Sequence, residues 1–314
     1  MRIAVFGSGA VGGYFGGRLA QAGEMVVFIA RGAHLAAIRA QGLRVSSTKG
    51  DFTVAPAEAA DDPSAIGRVD LVLVGVKAWQ VPEAAEALRP LVGPGTMVLP
   101  LQNGIEAPGQ LIDVLGRAPV LGGYCRLLAH LAGPGHIVHT GGEPHLGYGE
   151  MDGSETDRVR TLAAMFAGAT GFTATAEPDI RVAMWTKFMF IAATSAIGAL
   201  TGETFGELRS RPDSRRLLAA ALAEASEVAR ADGVLLPGDS VASTLAFVDS
   251  LPEDGTTSMQ RDIAAGRPSE LEAQAGAVVR LGQRLGVSVP THRLAYETLL
   301  PRERRARGTP ALAT

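Results

Sequence analysis

The sequence is short of several features that would each have assigned it a class. It has one cysteine, Cys125, which excludes an internal disulfide. It has no surplus of positive charge: 29 lysines and arginines stand against 32 aspartates and glutamates, a formal net charge of −3. A nucleic acid or other polyanionic partner therefore has no compositional support. It also lacks a long hydrophobic run. The least polar stretch, Phe188 to Leu200, is too short to span a hydrocarbon core and carries Thr194 and Ser195, so no membrane partner is expected. The first residues, MRIAVFG, read directly as a strand and not as a charged segment followed by an apolar one, and a cytoplasmic location is the expectation. No repeat of fixed period is evident.

What is present is 314 residues of 46% hydrophobic content, enough for a sizeable core and, by length, for two ordinary domains. Glycine is abundant at 39 residues, and much of it falls in the first half, where tight turns and close backbone approaches are expected.

The run Arg2 to Phe6 is followed by Gly7-Ser8-Gly9-Ala10-Val11-Gly12 and then by a helix-compatible stretch to Ala22. In such a strand, glycine turn and helix, the first glycine allows the bend and the second admits a pyrophosphate to the backbone. The third lets helix and strand pack closely, and the helix start offers free N–H groups to phosphate. The next strand, MVVFIA, ends on Arg31, where an acidic residue would accept from a ribose 2′-hydroxyl and an arginine accommodates a 2′-phosphate. NADP(H) is favoured over NAD(H).

Two later apolar runs behave alike: Val69 to Val76 leads into Lys77, and Thr96 to Leu101 into Gln102-Asn103-Gly104. Near-continuous apolar strands separated by helical patterns such as Pro82 to Leu91 imply a parallel sheet covered on both faces. Ligands bind at the carboxyl ends of such strands, where the glycine turn, Arg31, Lys77 and Asn103 would gather; a solvated lysine and an ordinary Asn-Gly turn are the plain alternatives. Between Gly122 and Gly149 short strands broken by Gly and Pro are expected. Four histidines lie there, at 130, 136, 139 and 145, but positions three apart on a strand point to opposite faces and no cysteine or carboxylate pair completes a site, so no metal is expected.

From about Asp179 the sequence reads as helical: an amphipathic stretch to about Leu200 stopped by Gly202, then Ser214 to Asp232, Ser240 to Ser250, Glu270 to Leu285 and Thr291 to Leu300. The expected architecture is α/β, an N-terminal Rossmann-type doubly wound sheet (1–178) followed by a C-terminal all-α domain (179–303) and a frayed tail (304–314), with a small-molecule site in the cleft between domains. On the first long helix Lys187, Ile191 and Ser195 share a face. Ser269 with Glu272 reads as a capping box, which would make Glu270 an ordinary first-turn acid, and Ser258 reads as another cap.

Taken in order, the Gly7-x-Gly9-x-x-Gly12 turn, Arg31, VKAWQ at Lys77, QNG at Asn103, WTKF at Lys187 and the TSM and SELE segments carrying Ser258 and Glu270 resemble the ketopantoate reductase family, over the chain to about Leu300. The resemblance implies NADPH-dependent reduction of the keto group of 2-dehydropantoate (ketopantoate) to pantoate, a step toward pantothenate and coenzyme A. It makes Lys187 the general acid at the ketone oxygen and Glu270 the residue that orients the lysine and the substrate hydroxyl. Ser258 meets the substrate carboxylate, Ser195 joins the substrate side, and Asn103 and Lys77 sit between cofactor and substrate. The glycine turn, Arg31 and Lys77 form the cofactor side. Such reductases are commonly dimers, so a homodimer is compatible. The chemistry suits the residue types, because hydride arriving at a carbonyl carbon leaves negative charge on oxygen, which an ammonium both stabilises and protonates.

One departure stands out. The family pattern places asparagines where this chain has Ile191 and Ser195, and isoleucine makes no hydrogen bond. Reduction of a different, more apolar 2-keto acid is therefore an open alternative, as is a non-catalytic NADP(H)-binding sensor.

Overall fold

The computed structural model describes residues 1–308. By contact the chain divides into two units: Met1–Gln102 with Ala107–Arg181, and Asn103–Glu106 with Val182 onward. The division falls a few residues past the expected position, and the tetrapeptide Asn103–Glu106 goes with the second unit.

In the first unit the elements run β1 (Arg2–Phe6), α1 (Ala10–Gln21), β2 (Met25–Ile29), α2 (Gly32–Gln41), β3 (Leu43–Ser47), β4 (Phe52–Val54), β5 (Glu58–Ala60), β6 (Leu71–Val74), α3 (Val81–Ala87), β7 (Met97–Pro100) and α4 (Ala107–Leu115). Then follow β8 (Gly122–Gly133), β9 (His136–Gly149), α5 (Asp157–Ala167) and β10 (Thr173–Ala176). Five strands form a wholly parallel sheet in the order β5-β2-β1-β6-β7. The chain winds outward on both sides of β1, the doubly wound arrangement. The apolar strand runs follow from burial on both faces. Ala4, Phe6, Val72 and Val74 pack with Val81, Ala85 and Leu111 of α3 and α4, whereas Ile3, Val5, Leu71 and Leu73 pack with Phe15 and Leu19 of α1.

A second sheet holds β10, β9, β3 and β4, with β8 paired to β9. Here the structure corrects the expectation of short strands: β8 and β9 are 12 and 14 residues long and form one antiparallel hairpin. Register shifts between Arg126 and Leu128, Leu128 and Ala129, and Leu131 and Gly133 interrupt the ladder without ending it. Pro134 and Gly135 make the turn.

The second unit contains α6 (Ile180–Thr201, continuing from the first), α7 (Phe205–Ser210), α8 (Pro212–Ala231), α9 (Ser240–Ser250), α10 (Ser258–Ala264), α11 (Ala277–Leu285) and α12 (Pro290–Ala306). α6 is 22 residues long, and by length and composition alone it would suffice to cross a membrane, yet 67% of its most apolar window is buried within protein. Its apolar character serves packing on several sides. Trp185, Phe188 and Ala192 meet residues of α8 and α11, Met189 and Ala193 meet α7 to α9, and Ala196 and Ala199 meet α10 and α12. The expected tail is also corrected, since α12 runs through Ala306. Glu303, 2% exposed, accepts from the Ser269 N–H and from Arg307 Nε, and Arg307 donates to the Ser269 carbonyl at 2.7 Å. The remainder of that tail, from 309, lies outside the described residues.

Candidate functional site

The glycine turn is held by its own backbone. Gly7 and Ser8 both donate their N–H to the Ile29 carbonyl at the end of β2, at 3.3 and 3.1 Å. The buried Ser8 hydroxyl is turned inward on the carbonyls of Ile29 and Val5, so Ser8 shapes the turn and offers its donors to the protein itself. The N–H groups of Gly9, Ala10, Val11 and Gly12 are those an α-helix leaves without intrahelical partners, and no acidic residue lies in the first turn of α1. A Cβ at Gly9 would meet nothing within 4 Å, whereas one at Gly12 would lie 2.3 Å from the Gly7 carbonyl oxygen. Gly7 itself has a φ of +92°. The turn is thus open at its second glycine and closed at its third, a cradle that suits a dinucleotide pyrophosphate.

Sequence reasoning missed Gly75, one residue past β6, where a Cβ would come within 2.8 Å of Gly12 Cα. It also passed over Gln102, whose buried Nε2 donates to the carbonyls of Val74 and Val76 and so fixes the end of β6. The apolar run ending in glycine was the available signal for the first. Arg31, at the start of α2, is exposed and lies 3.6 Å from Glu83. Lys77 is also exposed, with its ammonium 5.9 Å from the centre of the Trp79 ring.

In the second unit, residues far apart in sequence converge. Lys187 Nζ on α6 donates to Asn103 Oδ1 at 2.9 Å, and Asn103 Nδ2 donates to Glu270 Oε2 at 3.0 Å. An ammonium only donates and a carboxylate only accepts, so these two neighbours dictate which way the amide faces. Glu270 is 6% exposed and stands just before a π-helical turn, Glu272–Gly276. Such turns recur at functional sites because they re-aim one side chain out of helical register. The capping-box reading of this segment is corrected: Ser269 Oγ pairs with Glu303 and accepts from the Leu271 N–H, and Glu270 is a buried partner of Asn103 instead of a solvated first-turn acid.

Asn103 is anchored on both sides. Gly104, φ +119°, runs so close to the π turn that a Cβ there would stand 3.0 Å from the Ala273 carbonyl oxygen. Ile105 packs with the cluster of Trp185 and Phe188. Arg280 of α11 then ties the two segments together. It donates to Glu106 at 2.6 Å, to the Glu272 carboxylate at 3.0 Å and to the Glu272 carbonyl at 2.8 Å. Burial, the largest single influence, would lower the Arg280 pKa, but the hydrogen bond to Glu106 together with the charges of Glu106 and Glu272 outweighs it and the net shift is upward. Tyr296 completes the cluster: burial first, and then its hydrogen bond to Glu272, push its hydroxyl up to about 12, so it serves here as a donor. This clamp carried no recognisable motif.

Ile191, one turn beyond Lys187, packs in the same apolar cluster as Trp185, Phe188 and Val278. Ser195 is buried on α6, and Ser258 is exposed in the first turn of α10. The cap of α10 is Thr257, whose hydroxyl accepts from the Gln260 N–H, so Ser258 is not the cap that its spacing suggested.

A doubly wound parallel sheet with this turn, in a chain whose helical unit presents a lysine held by an amide that a carboxylate holds in turn, fits the class of oxidoreductases that use a nicotinamide dinucleotide. Comparison with known proteins is more specific. Residues 3–153 match the sequence profile described as ketopantoate reductase PanE/ApbA, and residues 179–303 match that of its C-terminal part. The 2-dehydropantoate 2-reductase of Halobacterium salinarum is 34% identical over 295 residues, covering 93% of this chain and 96% of the relative. That of Mesorhizobium japonicum is 31% identical over 312 residues, covering 93% and 94%. The crystal structure of a PanE/ApbA family ketopantoate reductase from Ralstonia eutropha JMP134 superposes with a TM-score of 0.88 at 34% identity, covering 98% of this chain and all of the other. The chain belongs to the ketopantoate reductase family, and it is an oxidoreductase acting on a CH–OH group.

Proposed function

We propose that the protein reduces a 2-keto acid with NADPH and that Lys187 is its general acid. The observation that carries this reading is the chain of hydrogen bonds from Glu270 through Asn103 to Lys187. NADPH supplies the hydride when bound. Lys187 stabilises the charge that develops on the keto oxygen and delivers the proton to it. Asn103 Oδ1 holds the ammonium in one direction, and Glu270 holds the amide. Asn103 therefore acts first as a positioning residue. Ser195 and Ser258 supply hydroxyls for the substrate carboxylate and its substituents. Arg31, the cation that follows β2, would hold the 2′-phosphate of a bound NADPH and so select it over NADH.

The substrate we put first is 2-dehydropantoate, reduced to pantoate in a cytoplasmic route to pantothenate, with the enzyme as a homodimer. The names of the relatives support it. A second reading is favoured by Ile191, which joins the apolar cluster beside Lys187 and gives a substrate hydroxyl nothing to bond: the preferred substrate is then a 2-keto acid with a purely apolar side chain. The two are separated by following NADPH oxidation with 2-dehydropantoate beside a panel of branched and aromatic 2-keto acids, with NADH as the control cofactor. Turnover of 2-dehydropantoate well above the panel supports the first reading. Turnover confined to apolar keto acids supports the second, and NADPH binding without turnover of any keto acid refutes both.

A further inference from the structure

We propose that His34 is a positioning residue for the cofactor's pyrophosphate. This rests on the reading that the glycine turn holds a dinucleotide. His34 lies in the first turn of α2, three residues after Arg31, and its half-buried ring is bonded to backbone on both nitrogens. Nε2 lies 2.7 Å from the Ser8 carbonyl oxygen, and the Gly135 N–H points at Nδ1 at 2.9 Å. An amide N–H only donates and a carbonyl only accepts, so the two neighbours admit one arrangement: a neutral ring protonated on Nε2.

The bond to Ser8 acts on the residue that follows. The peptide between Ser8 and Gly9 is planar and trans, with its C=O and N–H on opposite sides. Holding the Ser8 oxygen toward α2 therefore fixes the direction of the Gly9 N–H. Gly9 is the second glycine of the turn, the place where the pyrophosphate approaches the backbone and where a Cβ would meet nothing. The Ser8 and Gly7 N–H groups are both committed to Ile29, so the plane of the next peptide is the first that an outside contact can set. The contact at Nδ1 comes from the turn between β8 and β9. Gly135, φ +71°, is itself held by the Arg44 N–H on its carbonyl at 2.8 Å. His34 thus ties the glycine turn to the β8–β9 turn, 101 residues away. A preorganised donor binds better than one that must be ordered on binding.

The test is NADPH affinity by fluorescence titration, which needs no knowledge of the substrate, on the wild type, His34→Leu and His34→Gln. A glutamine amide presents one donor and one acceptor side by side, as the neutral ring does. We expect His34→Leu to weaken binding by about three- to tenfold, the size of one oriented hydrogen bond, and His34→Gln to stay within about twofold of the wild type. Leucine binding as tightly as histidine overturns the proposal, and so does an equal loss in both variants that follows their thermal stability. Absence of dinucleotide binding in the wild type overturns the cofactor reading as well. Should His34→Leu not fold, long-range ¹⁵N NMR of the wild type decides: the Nε2–H tautomer is expected, and an Nδ1–H or averaged ring refutes the geometry.

Discussion

Replacing Asn103 by leucine removes two hydrogen bonds at once, one from Lys187 at 2.9 Å and one to Glu270 at 3.0 Å. Each involves a charged group and is worth about 1.5–3 kcal/mol, so the gross loss is about 3–6 kcal/mol. Leucine leaves the buried Glu270 carboxylate short of a donor, while the lysine regains part of its loss from water, which brings the net cost to about 2–4 kcal/mol. The two tryptophans allow this to be read in the second unit alone. Trp185 is 1% exposed in its core and Trp79 belongs to the first unit, so in a Trp79→Phe background the fluorescence reports Trp185. With a urea slope of about 2 kcal/mol per molar, Asn103→Leu moves the midpoint down by about 1–2 M. Because Asn103 bridges the other two, the cost of adding Lys187→Met to Asn103→Leu falls short of the sum by about 1 kcal/mol or more. A midpoint shift under about 0.3 M, or strict additivity, would refute the bridge.

Further outcomes are expected elsewhere. Gly12→Ala sets a Cβ 2.3 Å from the Gly7 oxygen and 2.9 Å from Val5 Cγ1, costs about 1–3 kcal/mol and abolishes tight NADPH binding; a variant with unchanged melting and affinity would contradict the interlock. Glu224 accepts from the N–H groups of Thr291 and His292 and from His292 Nδ1. Burial alone would raise its pKa, but these hydrogen bonds hold it below 4.5. Its folded pKa lies below the unfolded one, so its contribution is complete above about pH 4.5 and is lost as pH falls through the folded value. Glu224→Gln should melt lower at neutral pH yet lose less stability than the wild type between about pH 5 and pH 3; parallel curves would contradict this. Ile191→Asn, read by kcat/KM on a mixed panel, should shift preference toward hydroxylated 2-keto acids by roughly tenfold, and an unchanged ranking would remove Ile191 from specificity.

The parts of the fold that the sequence shows are those in which burial leaves a pattern. β1, β2, β6 and β7 stand out because both faces of each are covered. β5, whose residues are Glu-Ala-Ala, carries no such mark, because an edge strand of three residues is fixed by its pairing with β2 and not by its own propensity. The long hairpin was hidden by glycines and prolines that the structure places at its turn and along its irregular ladder. α7 and α10 are too short for helical periodicity to show.

At the site the same division holds. The glycine turn is local, so its residues can be read in order. Lys187, Asn103 and Glu270 are 84 and 167 residues apart along the hydrogen-bonded chain, so no spacing rule joins them; only the order of motifs shared with the family suggested them together. Arg280 and His34 were invisible for another reason. Their partners are backbone groups and side chains of distant segments, and neither residue sits in a motif.

The most direct test of the central claim is the turnover of Lys187→Ala, measured as NADPH oxidation with whichever 2-keto acid the wild type reduces best, beside NADPH affinity by titration. The account predicts that kcat falls by about 10²–10⁴, the usual contribution of a positioned general acid, while the cofactor dissociation constant stays within about twofold. A Lys187→Ala protein that keeps turnover within a fewfold of the wild type would contradict it.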